Sequence, residues 1–341
     1  MPGDLSDLTN GRVMAIFGAG RSGSSWLWAI VGSHPEVAHR FEPIHRRAGG
    51  DPKIRALRDR LASGSFGPEV LEEIYAAFSP AYPELVRPPF FKKAFRPRMN
   101  WGRTGLWPFA RRWRGLAGTF RWLYSPRDLA PLLIKEVAFE HLMRNLLERS
   151  PIRVVYLIRH PAALLHSLLG GQDQALMPTG RRAILADYVA AEDPDLPARL
   201  GVDLKTLTPL EIEAIMLRLD MEVGWRAAQA SPRALVVVYE ELCERPFEVA
   251  RRVFDHFGLD FAETSRKFIR MSMGGSRWGR LRALEIGVDQ YFSVFRNPRM
   301  SRDRWKNEMA LADRRRVLEL FESSAVFRGV QAGGSWWQPC A

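Results

Sequence analysis

The sequence predicts an α/β fold, a parallel sheet with helices on both faces, on three observations. First, short and largely apolar runs alternate with longer helical patterns: Val13–Phe17, Leu132–Val137, Val154–Ile158 and Leu235–Glu240. Strands apolar on both sides are buried on both sides, as in parallel sheets covered by helices. Second, the first run passes directly into Gly18-Ala19-Gly20-Arg21-Ser22-Gly23-Ser24-Ser25, and from Trp26 the spacing of Leu27, Ile30 and Val31 suits a helix face. Strand, glycine-rich turn and helix together make a cradle for an anion. Third, four polar clusters close the strand-like segments: Arg21–Ser25, Lys135-Glu136, Arg159 and Tyr239-Glu240. Ligands of doubly wound sheets sit at these carboxyl ends.

The elements follow in order. Ser33-His34-Pro35-Glu36 breaks the first helix, and the chain reaches Phe41-Glu42-Pro43-Ile44-His45. Residues 46–86 mix charged and helix-like stretches with Gly and Pro interruptions. Between Arg87 and Arg127 stand eleven Lys/Arg residues and no acid, interleaved with Trp101, Trp107, Trp113 and Trp122. This stretch reads as a basic, tryptophan-rich insertion on the scaffold rather than as core. A helix is expected over 139–149, and another from Pro161 through Leu169. Residues 171–208, polar with Pro and Gly, are expected to be a flexible surface segment. Thr208-Pro209-Leu210-Glu211 carries an N-cap, a proline at the first helical position and a capping-box acid, so a helix should run to about Ala230. The fourth strand is expected over Leu235–Glu240. Pro246 opens a helix that Gly258 ends, and 309–323 forms a final one. With no internal repeat, residues 1–341 are expected to form one domain.

Composition narrows the partners. Fifty Lys+Arg against 38 Asp+Glu give +12, which favours anionic ligands and surfaces. Two cysteines, Cys243 and Cys340, make no disulfide framework and point to a reducing compartment. The first twelve residues have neither a basic n-region nor an apolar h-region, and no run approaches the ~20 apolar residues of a membrane span. The expectation is a cytoplasmic protein, peripheral to a membrane at most.

The spacing Gly18-x-x-x-x-Gly23-Ser24-Ser25 approaches the nucleotide-triphosphate loop G-x-x-x-x-G-K-[ST], but Ser24 stands where that loop has lysine. The cation comes earlier, as Arg21. Arg21-Ser22-Gly23-Ser24-Ser25-Trp26 resembles the 5′-phosphosulfate loop [KR]-S-G-[TS]-[TS]-[WFL] of the PAPS-dependent sulfotransferases. Arg159 and Ser167, eight residues apart, are similar to the pair that grips the 3′-phosphate of PAPS in that family. An arginine fork and a hydroxyl suit a phosphate dianion. Glu42, in Phe41-Glu42-Pro43, resembles the Glu-Pro stretch of carbohydrate sulfotransferases of the N-acetylglucosamine/galactose 6-O type. Tyrosylprotein sulfotransferases carry their catalytic glutamate at the same spacing from the loop.

The resemblance implies a P-loop-like sheet and sulfuryl transfer from PAPS to an acceptor hydroxyl, a saccharide for preference, giving PAP and a sulfate ester. It implies Glu42 as general base, with His45 and Glu136 in reserve, and Lys135 as the cation near the transferring sulfur. Arg21, Ser22, Gly23, Ser24, Ser25 and Trp26 would hold the 5′ side, and Arg159 with Ser167 the 3′-phosphate. Tyr239, in a Y-E-[DE]-L-like segment, would lie near adenine. Ser293 and Arg304 resemble parts of the loop that closes over the nucleotide. No metal is expected at the reacting centre. The motifs cover about 13–45, 132–170, 235–260 and 290–306.

Two other readings remain open at this level. A small-molecule P-loop kinase would share the glycine-rich turn, against the missing lysine at position 24. A non-enzymatic module could bind acidic glycans or nucleic acid through 87–127, where tryptophans stack on sugars or bases, though no named nucleic-acid motif accompanies them. The same stretch also suits an acceptor platform or a membrane-surface patch.

Overall fold

The computed structural model describes residues 12–45, 52–62, 67–78, 93–94, 98–99, 101–124, 130–177, 179–273, 298–334 and 336–337. Five strands form one sheet: β1 (Val13–Phe17), β2 (Ala38–Phe41), β3 (Leu132–Lys135), β4 (Arg153–Ile158) and β5 (Ala234–Val238). All neighbours pair in parallel, in the order β2-β3-β1-β4-β5. The fold is therefore α/β, with a fully parallel sheet.

Why the strands are apolar throughout is visible in their packing. Val13, Ala15 and Phe17 face one core with Ile134, Val154 and Tyr156. Met14 and Ile16 face a second core with Leu133, Val155, Leu157 and Val237. Side chains alternate across a strand, so each strand feeds two cores and tolerates little polarity on either side. Helices α1 (Ser24–Gly32), α12 (Pro246–Phe257) and α13 (Glu263–Met273) cover the second face. The first is covered by α2 (Pro52–Ala62), α3 (Pro68–Phe78), α6 (Glu140–Arg149), α7 (Pro161–Asp173), α10 (Pro209–Gln229), α15 (Leu311–Phe321) and α16 (Ala325–Gly333).

Helix α10 has the expected capping box: Thr208 Oγ1 accepts from Glu211 N, and the Glu211 carboxylate accepts from Thr208 N. Gly258, in the left-handed region at φ 71°, ends α12 as expected.

Three expectations are corrected, and one strand was not anticipated. Strand β2 is not legible in the sequence, because AHRF is a four-residue edge strand carrying a buried arginine. Residues 171–208 are not simply a flexible segment: α8 (Arg182–Glu192) and α9 (Leu196–Leu200) lie within it. Leu185, Val189, Leu196 and Leu207 form a small core there with α10. Strand β5 ends at Val238, and Tyr239 opens the short helix α11 (Tyr239–Glu244). The chain's last helical region is α14 (Pro298–Glu308), α15 and α16 rather than a single helix over 309–323.

Between α3 and β3, helices α4 (Arg103–Arg112) and α5 (Arg114–Tyr124) form a hairpin around Trp107, Ala110, Phe120 and Tyr124.

Candidate active site

All five strands leave the sheet at the same edge because all run parallel. From β1 the chain goes to β2 and β3 on one side, then crosses to β4 and β5 on the other. The crevice at the carboxyl end of β1 is therefore the topological switch point. Gly18, Glu42, Glu136, Arg159 and Tyr239, which follow the five strands, converge on this edge.

The turn after β1 is built by close approach. A Cβ on Gly18 would stand 2.4 Å from the Leu157 carbonyl oxygen and 2.8 Å from Ser22 Oγ. Gly23, the N-cap of α1, has φ 93°, and the Tyr239 ring lies over it so closely that a Cβ would meet the ring at 2.3 Å. Only glycine fits such a position. Arg21 at φ 71° and Glu42 at φ 51° also adopt the left-handed region, as does Ala138 at φ 52° in the turn after β3. Each such residue costs of the order of ~1–3 kcal/mol, and strain of this kind gathers at functional sites. Ser22 N donates to Ala19 O at 3.1 Å and Trp26 N to Gly23 O at 2.9 Å. The N–H groups of Ser24 and Ser25 thus lie ahead of the first intrahelical bonds, at the positive end of α1.

The two anion motifs meet although 146 positions separate them. Arg21 Nε donates to Ser167 Oγ at 3.0 Å. Arg159 donates to the carbonyl of Arg21 at 2.9 Å and to the carbonyl of Ser301, on α14, at 2.6 Å. Its guanidinium lies 4.7 Å from the centroid of the Tyr239 ring. Trp26 meets Tyr239 edge-on at 6.4 Å, and its Nε1 donates to Ser272 Oγ at 2.9 Å. Two buried polar atoms here, Ser22 Oγ and Arg159 Nε, have no hydrogen-bond partner among the described residues. Buried donors are ordinarily satisfied, so the pair suits an anionic group bound between the loop and β4.

On the other side of β1, the Lys135 ammonium donates to Glu42 Oε1, both side chains being nearly buried. Phe41 and Lys135 stand opposite each other in the β2–β3 register, and Glu42 N donates to the Lys135 carbonyl at 2.7 Å. The Lys135 ammonium also lies 4.3 Å from the centroid of the Phe41 ring. Neighbouring strand ends thus place a cation and a carboxylate together on the site edge.

Glu136 is fully buried and accepts from Ile44 N at 2.6 Å and His45 N at 3.2 Å. It holds the turn that begins at Glu42. Burial pushes its carboxyl up to about 8, with the backbone bond from Ile44 opposing and the nearby Glu42 carboxylate adding to the rise. Glu240 plays a similar part at β4 and β5, accepting from His160 N at 3.0 Å and Trp337 Nε1 at 3.1 Å. His160 stacks on Trp305 at 4.4 Å, and burial, with Lys306 and Arg159 nearby, lowers its pKa to about 3.

Arg304 is not brought into this group: it is half exposed on α14 and bonds Glu308 through both Nε and Nη2. Ser293 lies outside the described residues. The Ser301 carbonyl, which fixes Arg159, left no mark in the sequence because a main-chain acceptor has no side-chain signature. The positioning role of Glu136 was legible only as a polar residue beside Lys135.

No protein-family model matches the chain, and no curated protein matches it in sequence. Among solved structures, it is similar to the sulfotransferase domain from the curacin biosynthetic pathway, at 13% identity over 91% of this chain and 96% of that one, with TM-score 0.43. It is similar to a mouse sulfotransferase complexed with PAP, at 14% identity over 97% and 93%, with TM-score 0.46. It is also similar to a retinol dehydratase in complex with retinol and PAP, at 16% identity over 92% and 80%, with TM-score 0.44. At 13–16% identity these similarities assign no chemistry to this chain.

Proposed function

We propose that the chain is a PAPS-dependent sulfotransferase that moves a sulfuryl group to an acceptor hydroxyl, leaving PAP and a sulfate ester. The observation that carries this reading is the convergence of Arg21, Ser167 and Arg159 at the end of β1, two separate anion motifs joined by direct hydrogen bonds. A kinase needs one phosphate cradle with a lysine at position 24. This chain has serine there, and a second cationic element from β4.

In this reading the amides at the start of α1, Ser22 Oγ and Arg21 hold the 5′-phosphosulfate. Arg159 and Ser167 hold the 3′-phosphate, and Tyr239 packs beside the nucleotide. PAPS supplies an activated sulfuryl group on a nucleotide leaving group. Glu42 would take the proton of the acceptor hydroxyl, whose oxygen forms the new bond to sulfur as the bond from sulfur to the oxygen bridging it to the 5′-phosphate breaks and that oxygen leaves with PAP. Lys135 offsets the charge that develops on that bridging oxygen. Its contact with Glu42 holds the carboxylate in place at the end of β2. Glu136 acts through Glu42, by fixing the turn that carries it.

A saccharide acceptor is favoured by the Glu42-Pro43 stretch, and the chemistry needs no metal. Calorimetry with PAP in EDTA tests the reading. Binding of PAP without metal is expected; absent PAP binding beside tight Mg-ATP binding overturns it.

A further inference from the structure

Among the described residues, six of the eleven exposed large apolar side chains lie on or beside the helical hairpin α4–α5. Trp101, Leu106, Phe109, Trp113, Leu116 and Trp122 are all exposed, Trp101 at 76% and Trp113 and Trp122 at 57% and 58%. They are not a failed core, because the hairpin has a separate one: Trp107, Ala110, Phe120 and Tyr124 are buried between the two helices. Leu106, Phe109 and Trp113, spaced by three and four residues, form one stripe, with the Phe109 and Trp113 rings 6.0 Å apart. In sequence the region carries one sign of charge, eleven Lys/Arg and no acid from Arg87 to Arg127. Arg112 is exposed, and Arg98 lies 4.8 Å from the centroid of the Trp122 ring while donating to the Trp122 carbonyl at 2.8 Å.

Exposed aromatic and leucine side chains with arginines such as Arg98 and Arg112 beside them are the chemistry of a helix lying in the interface of an anionic bilayer. We propose that the α4–α5 hairpin docks the protein on an anionic lipid surface, its Trp and Phe side chains entering the headgroup–acyl boundary and its arginines pairing with lipid phosphates. A second copy of the chain fits less well, since a two-fold contact would bring like charges such as Arg98 and Arg112 against their own copies. Nucleic acid would use the arginines and tryptophans but gives Leu106, Phe109 and Leu116 no reason to be exposed. The inference does not depend on the sulfuryl-transfer reading, and its readout does not involve nucleotide.

The test is co-sedimentation of the full chain with vesicles of phosphatidylcholine alone or of phosphatidylcholine with phosphatidylglycerol. Binding is expected only to the mixed vesicles, weakening as salt is raised. Phe109→Ser/Trp113→Ser/Trp122→Ser should lower partitioning at least about 10-fold, since each buried aromatic contributes strongly. Arg112→Gln should lower it about fivefold. Thermal melting reports whether each variant remains folded. Binding by the triple-serine variant equal to that of the unaltered chain overturns the proposal. So does absent vesicle binding at low salt, whether the hairpin then proves to hold DNA or to drive dimerisation in sedimentation velocity.

Discussion

Glu42 and Lys135 form a buried ion pair at the end of two paired strands, and each should fail differently when altered. Glu42→Gln keeps the shape but cannot take a proton. Under the proposed mechanism turnover should fall by roughly 10²–10⁴ with PAP affinity nearly unchanged. A pH–rate profile checks the assignment, because the acidic limb should vanish in this variant. Wild-type turnover in Glu42→Gln would remove it from the base role. Arg159 invites a comparison of two ligands. Arg159→Ala should weaken PAP by about 10- to 100-fold, the worth of a charge-assisted contact. Adenosine 5′-phosphosulfate, which lacks the 3′-phosphate, should lose much less. Equal losses would mean that Arg159 only holds the carbonyls of Arg21 and Ser301 in place.

The element that shapes the site is the turn from β1 into α1, and its tightness has a measurable cost. Gly23→Ala forces a Cβ into the Tyr239 ring and a non-glycine residue into φ 93°. The loss should be at least about 1–3 kcal/mol in urea unfolding, with PAP binding damaged as well. An element remote from the site serves as the contrast. Thr208→Ala removes one side of the capping box of α10 and should cost about 1 kcal/mol while leaving PAP binding alone.

Across the whole molecule, burial of ionisable groups sets the pH dependence of stability. Burial pushes the carboxyls of Glu136 and Glu140 up to about 8 from an ordinary 4.5. From about 4.5 to 8 the folded chain keeps protons that the unfolded chain has lost, so stability falls as pH rises. His160 runs the other way. Held neutral down to about 3, it makes stability fall as pH drops below its ordinary value of 6.5. Between 4.5 and 6.5 the buried carboxyls and the buried imidazoles, His141 and His256 included, oppose each other, whereas from about 6.5 to 8 the carboxyls act alone. The melting temperature should therefore decline from about pH 6.5 toward 8. Glu136→Gln should flatten that decline; an unchanged slope in the variant would show that Glu136 does not titrate there.

The amino-acid sequence alone determined the parallel α/β class, because runs apolar on both sides, such as Val13–Phe17, can be satisfied only between two layers of helices. It also determined the glycine-rich turn from β1 into α1 and the start of α10, since glycine spacing and helix caps are local chemistry. Local chemistry stops at a few residues. The Arg21–Ser167 contact joins positions 146 apart, and only the crossing of the chain from β3 to β4 brings them together. Whether Glu136 is a base or a turn-holder depended on two backbone N–H groups that accompany any residue. Strand β2 was hidden for the same reason: its partner β3 follows it by some 90 residues, and four residues carry too little pattern to reveal an edge strand. The tertiary structure decided these, because packing and register act between residues whose sequence separation carries no periodic signal.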